Sequence, residues 1–161
     1  MGYYDTIASG YDELHAEEQL KKLNLIKKDL KIDKTDTLLD VGCGTGISTE
    51  FWKCRKIGID PSLELIKQAL DVKKGFYIQA DAESIPFKDS SFDVVISITA
   101  IHNFSDFRKG LDEMKRVGKK RFALTILKKA KDINDIRDHI LKSFNVKKII
   151  AEDKDEIFLI Y

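Results

Sequence analysis

Gly42, Gly44 and Gly46 follow the apolar run Leu38-Leu39-Asp40-Val41 and open a helix-like stretch. Glycine at a strand-to-helix turn lets the backbone bend sharply and approach a ligand closely. The loop continues Gly46-Ile47-Ser48, without the lysine that a triphosphate loop uses against phosphate charge. A dinucleotide pattern, GxGxxG, would place its third glycine where Ile47 stands. Acids mark the ends of neighbouring apolar runs: Asp40 before the loop, Asp60 after Ile57-Gly58-Ile59, and Asp81 in Gln79-Ala80-Asp81-Ala82-Glu83. A carboxylate at the end of a second strand can accept both hydroxyl hydrogens of a ribose. The alternative for Asp60 is a helix cap before Pro61. His102, in Ala100-Ile101-His102-Asn103-Phe104, is a group that can take a proton near neutral pH. Asp106 is the alternative base, and packing beside Phe104 is the alternative role for His102.

These residues need a frame, and the hydrophobic pattern supplies one. Strands are predicted at 37–41, 56–60, 76–80, 92–99 and 121–127, with helices between them. The run at 92–99 is nearly continuous in apolar residues, which suits a central strand. Residues 11–30 read as a charged amphipathic helix with Leu14, Leu20, Leu23, Ile26 and Leu30 buried. Further helices are expected at 47–52, around Leu63, Ile66 and Leu70, around Phe107, Leu111 and Met114, and around Ile133, Ile136, Ile140 and Phe144. Runs at 146–151 and 156–161, separated by Glu152-Asp153-Lys154-Asp155, look like a closing antiparallel hairpin. Strand and helix in alternation point to a parallel α/β sheet whose carboxyl edge carries Asp40, Asp60 and Asp81.

The bulk numbers narrow the class. The chain has 161 residues, enough for one domain, and 43% of them are hydrophobic. Lys+Arg 28 against Asp+Glu 27 leaves a net charge of +1, which does not call for a nucleic-acid partner. No apolar run approaches the roughly 20 residues of a membrane helix, and no secretory leader is legible. Cys43 and Cys54 form no CxxC pair, so a reducing, cytoplasmic setting is expected. His15, His102 and His139 lack metal-ligand spacing, and no metal is expected. Met1-Gly2-Tyr3-Tyr4-Asp5-Thr6 matches a short acylation pattern, which is set aside because so short a pattern often matches by chance.

Taken together, the loop, the strand-end acids and the segment 92–104 resemble the class I methyltransferases that use S-adenosylmethionine. The resemblance covers essentially the whole chain. It implies an α/β, Rossmann-like class I methyltransferase fold: a seven-stranded, mostly parallel sheet with a C-terminal antiparallel hairpin and helices on both faces. Residues 1–161 would form a single domain, with 1–30 as a lid segment and helix and no inserted substrate domain. S-adenosylmethionine would be the methyl donor and S-adenosylhomocysteine the product. The implied cofactor-binding residues are Asp40, Gly42, Cys43, Gly44, Gly46, Asp60, Pro61, Asp81, Ala82, Ser97 and, in the lid, Tyr11. Asp40 would lie near the methionyl amino group, or else shape the loop as a structural acid. Asp81 would meet the adenine amino group, with the next backbone amide at the ring.

The acceptor is less legible. Residues 97–100, Ser97-Ile98-Thr99-Ala100, replace the Asn-Pro-Pro-Tyr that usually accompanies amino-nitrogen methylation. Neither cysteine is placed for attack on a pyrimidine. A small-molecule acceptor, of the kind quinone methyltransferases use, fits the lid and the compact domain, with His102 as base. The alternative is a tRNA-modifying enzyme, because 96–104 also resembles the wobble-uridine methyltransferases. Those enzymes use a small zinc-binding activator, which here would pair with the uncharged edge strand at 76–80. Lys128, Lys129 and Lys131 follow the fifth strand at the site rim, facing an anionic acceptor or simply solvent. The basic run Lys115, Arg116, Lys119, Lys120 and Arg121 falls on the opposite edge. A reading of another class is a cofactor-binding scaffold without turnover.

Overall fold

Val94 and Ile96 of strand β4 (Phe92–Ser97) pack into one apolar layer and Val95 into another, and none of the three is exposed. A strand buried on both faces lies inside a sandwich of helices. The computed structural model describes residues 13–73 and 75–161 in full, together with the helical backbone from Tyr3 onward. Its other elements are α1 (Tyr3–Asp29), β1 (Thr37–Val41), α2 (Ile47–Phe51), β2 (Arg55–Asp60), α3 (Leu63–Val72) and β3 (Phe76–Gln79) before β4. After it come a 3₁₀ turn (Ile101–Asn103), α4 (Phe107–Val117), β5 (Gly118–Leu127), α5 (Ile133–Ser143), β6 (Lys148–Ala151) and β7 (Asp155–Ile160).

The described strands form one sheet in the order β3-β2-β1-β4-β5-β7-β6. The first five pair in parallel, whereas β7 runs antiparallel to both β5 and β6. This is the expected seven-stranded Rossmann-like sheet with its closing hairpin. The chain winds outward from β1 to β3 and then restarts at β4 on the other side of β1. Such a switch point opens a crevice at the carboxyl ends of the strands. Leu111 and Met114 of α4, with Ile136 and Ile140 of α5, cover one face of the sheet. Leu23 and Ile26 of α1, with Leu30 just past its end, cover the other.

The buried stripe of α1 differs from the expected one. Leu14 and Leu20 are exposed, and Gln19 and Lys22 are buried in their place. Positions 19, 22, 23, 26 and 30 share one helical face, and Leu14 and Leu20 fall off it. The upper part of that face meets polar partners in the site rather than the apolar sheet. The turn between β6 and β7 departs from expectation too. Glu152 and Asp155 point inward, and Glu152 Oε2 accepts the amides of Lys154 and Asp155. Strand β4 ends at Ser97, short of the expected 99, because Thr99 turns into the left-handed region at φ 54.

Candidate active site

The loop between β1 and α2 is left-handed at Gly42, Gly44 and Gly46, with φ of 77, 55 and 89. A Cβ on Gly42 would stand 2.5 Å from Ala100 Cβ, and one on Gly46 would stand 2.6 Å from Tyr77 Oη. Both glycines therefore permit close packing as well as the turn. A Cβ on Gly44 would meet nothing within 4 Å, so this glycine faces open space. The loop is anchored on β2, since the amides of Gly42 and Cys43 donate to Ile59 O at 2.8 and 3.0 Å. Gly58 completes the seat: a side chain there would strike Cys43 Sγ and Tyr77.

Asp60 joins two structures. Its Oδ2 accepts the Gly44 amide at 2.9 Å, and its Oδ1 accepts the Ser62 amide at 2.9 Å. Each oxygen keeps a second lone pair for a ligand hydroxyl. Asp40 has no exposure. Its Oδ2 accepts Ser48 Oγ at 2.5 Å and Thr49 Oγ1 at 2.8 Å. Its Oδ1 is buried without a partner, as is Gln19 Oε1. Burial pushes the Asp40 carboxyl up to about 6, against the pull of the two hydroxyls.

Two cavities meet at this loop. One, of about 290 Å³, is bordered by Gly42, Asp60, Pro61, Asp81 and Ala82, and by Asn103 and Phe104 beyond β4. The other, of about 100 Å³, lies between α1 and the loop, against Gln19, Cys43, Gly44 and Ser48. Gly42 and Thr99 border both, so the two lie side by side as a trough across the switch point. One orphan acceptor, Gln19 Oε1, belongs to a residue at its α1 side, with the orphan Asp40 Oδ1 buried behind Ser48, and Asp60, Asp81 and Glu83 stand at its β2–β3 side. An ammonium suits the first, and the hydroxyls and amino group of an adenosine suit the second. The residues present thus fit S-adenosylmethionine.

Of the expected cofactor residues, Gly42, Cys43, Gly44, Asp60, Pro61, Asp81 and Ala82 line this trough, and Asp40 lies behind its Ser48 wall. Gly46 and Ser97 do not border it. Gly46 caps α2 against Tyr77, and the fully buried Ser97 donates to Val41 O at 2.8 Å, tying β4 to β1. The side chain of Tyr11 lies outside the described residues. The Cys43 thiol borders the smaller cavity, and burial pushes its pKa up, which keeps it protonated. His102 stands one cavity away, in a space of about 440 Å³ shared with Asp106, Arg108 and Asp132. Phe104 and Ser105 border this space and the trough alike. His102 Nδ1 is buried without a partner, and burial lowers the pKa of the ring. Asp106, the alternative base, caps α4 by accepting the Lys109 amide at 3.1 Å.

Several site residues gave no sequence signal. Gln19 sits in a helix whose leucines suggested another face, and Thr99 lies inside an apolar run. Arg116 and Arg121, from the basic run on the opposite edge, are held by Glu113 and Asp89 and by Asp36 respectively. Lys128, Lys129 and Lys131 are exposed beyond the end of β5.

A Rossmann-like sheet with a glycine loop at its switch point and acids on the next strand ends defines a class I methyltransferase domain. The chain belongs to this S-adenosylmethionine-dependent family: the family described as "Methyltransferase domain" matches over residues 39–124. An uncharacterized protein of Methanocaldococcus jannaschii is 35% identical over 151 residues, covering 91% of this chain and 58% of that protein. The demethylmenaquinone methyltransferase of Thermotoga maritima is 30% identical over 138 residues, 79% of this chain and 60% of that enzyme. The chain spans about half the length of the curated relatives it matches. Among solved structures, a methyltransferase of Haloferax volcanii in complex with the Trm112 methyltransferase activator superposes with a TM-score of 0.76. It is 16% identical, and the match covers 99% of this chain and 97% of that one.

Proposed function

We propose that this chain transfers a methyl group from S-adenosylmethionine to a small-molecule acceptor. The observation that carries the reading is the trough at Gly42 and Thr99, with Gln19 lining one side, Asp40 behind the Ser48 wall, and the Asp60 and Asp81 carboxylates at the other side. S-adenosylmethionine supplies a methyl group on a sulfonium, whose transfer needs alignment and exclusion of water more than a large catalytic apparatus. Asp40 Oδ1 and Gln19 Oε1 take the methionyl amino group, Asp60 takes the ribose, and Asp81 with the Ala82 amide takes the adenine. Tyr11 belongs to the lid. His102, half-buried and uncharged near neutral pH, accepts the acceptor's proton. The cytoplasm is the proposed compartment, in keeping with two free cysteines. No helix among the described residues is long and apolar enough to cross a membrane.

Calorimetry with S-adenosylhomocysteine, NAD, ATP and GTP tests the cofactor, and only the first should bind. Tight NAD binding without adenosylhomocysteine binding would overturn the reading. A screen of radiolabelled S-adenosylmethionine against cell metabolites and total tRNA then finds the acceptor. Binding with no transfer to either pool would favour the scaffold reading.

Asp40 makes cofactor binding depend on pH. Its raised pKa means that the carboxyl is protonated below about pH 6. An ammonium at Oδ1 needs the ionised form. The association constant for adenosylhomocysteine should therefore fall as pH drops through 6, approaching tenfold per unit. Asp40→Asn should flatten the curve. A wild-type curve that is flat between pH 5 and 7 would separate Asp40 from the amino group.

His102→Ala should leave adenosylhomocysteine affinity nearly intact and slow turnover by about 10²–10⁴-fold if the ring acts as base. An acceptor that is already an anion needs no base. A full-rate variant would thus remove the base role and favour such an acceptor.

The second reading, a tRNA-modifying enzyme with a small activator, is favoured by one feature. Edge strand β3 exposes Phe76 and Ile78 and carries no charge, proline or bulge. The Haloferax likeness supports the same idea at the level of fold. The Ala80 amide donates to Asp60 O on β2, so alternate amides at 76 and 78 also face β2. The outward donors belong to Tyr77 and Gln79. Gln79→Pro, rather than a proline at 78, should abolish co-purification with an activator that extends the sheet. Full activity of the dilute, monomeric wild type on its own would rule the activator out.

A further inference from the structure

A buried ionic cluster drawn from four elements lies beneath the turn that follows β4. Lys22 Nζ of α1 and Asp155 Oδ1 of β7 face each other at 3.2 Å, with side-chain exposures of 4% and 0%. Thr99 stands between them. Its Oγ1 accepts from Lys22 Nζ at 2.9 Å and donates to Asp155 Oδ2 at 2.6 Å. Thr125 of β5 donates to the same Asp155 oxygen at 3.0 Å and accepts the Thr99 amide at 2.7 Å. Thr99 is β-branched yet held at φ 54. A residue of this kind stays in the left-handed region only where its surroundings hold it there. It also borders both cavities of the trough. From it the chain passes through Ala100, packed on Gly42, into the 3₁₀ turn that carries His102.

A buried ion pair is in general weak evidence for stability. This one converges on a single strained residue at the site, which is where strain serves positioning. We propose that Lys22 and Asp155 are positioning residues for methyl transfer: they hold Thr99 in its left-handed turn and thereby set where His102 stands beside the trough. The pair also fastens the lid helix and β7 to the acceptor side of the site. The inference rests on methyl transfer taking place beside this turn. Burial lowers the basicity of His102 most; Asp155 acts to raise it and Lys22 to lower it. Asp106, Arg108 and Asp132 border the ring's cavity as well.

The test is an NMR titration of the His102 ring in the full chain, read without any acceptor and with or without S-adenosylhomocysteine. Lys22→Met should raise the ring pKa and Asp155→Asn should lower it, each with displaced amide resonances at 99–104. A shift toward the ordinary histidine value in both variants would mean simple loosening and overturn the proposal. Should either single variant fail to fold, Lys22→Met combined with Asp155→Leu leaves no charge buried and decides the matter. The double variant should show displaced resonances and faster amide exchange at 99–104, with Gly42–Gly46 unmoved. An unchanged turn in the double variant would reduce the pair to packing. Because no acceptor is needed, this failure is distinct from a negative acceptor screen. Absence of adenosylhomocysteine binding would instead count against the methyltransferase reading.

Discussion

Replacing Asp60 with alanine is expected to raise the dissociation constant of S-adenosylhomocysteine by about 10- to 150-fold, because a hydrogen bond to a charged group contributes roughly 1.5–3 kcal/mol. The carboxylate has two tasks, and alanine removes both. It holds the Gly44 amide and the Ser62 amide, and in the proposed role it offers its remaining lone pairs to the ribose hydroxyls. A 2′,3′-dideoxy analogue of adenosylhomocysteine separates the tasks. If Asp60 serves the ribose, wild type and variant should differ much less toward the analogue than toward the natural ligand. Equal losses for both ligands would leave Asp60 only the shaping of the loop. Calorimetry near pH 7.5 is the suitable measurement, since Asp40 is then ionised.

The second large effect is on stability. Lys22→Met should lower the unfolding free energy by about 3–5 kcal/mol, the usual cost of leaving one member of a buried pair uncompensated. Asp155 would keep the hydroxyls of Thr99 and Thr125 but lose the cation 3.2 Å away. The Met side chain fills most of the lysine's volume, so the loss reports charge rather than a cavity. Asp155→Leu added to Lys22→Met should recover a good part of it, because an apolar pair of similar size pays no desolvation. Urea unfolding of the two single variants and the double variant measures the coupling directly. Additive losses, or a Lys22→Met variant within about 0.5 kcal/mol of wild type, would show that the pair is not coupled as the geometry indicates.

The site was partly readable before the structure. Glycine spacing pointed to the loop, and apolar runs ending in acids pointed to Asp60 and Asp81 on the carboxyl edge. Both are local properties, because backbone sterics and strand periodicity act over a few residues. The parallel sheet and its closing hairpin were legible for the same reason. Gly46 and Ser97, expected at the ligand, also have structural tasks: Gly46 packs on Tyr77 and Ser97 ties β4 to β1. Those tasks involve neighbours distant in the chain, which residue type alone does not reveal.

What the sequence by itself determined was therefore the carboxyl edge of the sheet: the alternation of strands and helices, the uncharged glycine loop and the acids beside it. Tertiary structure decided the turn that follows β4. Lys22, Thr99, Thr125 and Asp155 are separated by 26 to 77 residues along their hydrogen bonds, and no periodicity links them. Gln19 and Lys22 read as part of a solvated, charged helix until the sheet turns that face inward. A buried charge is stable only when its partner arrives with good geometry. That pairing exists only once α1, β4, β5 and β7 have assembled around one turn.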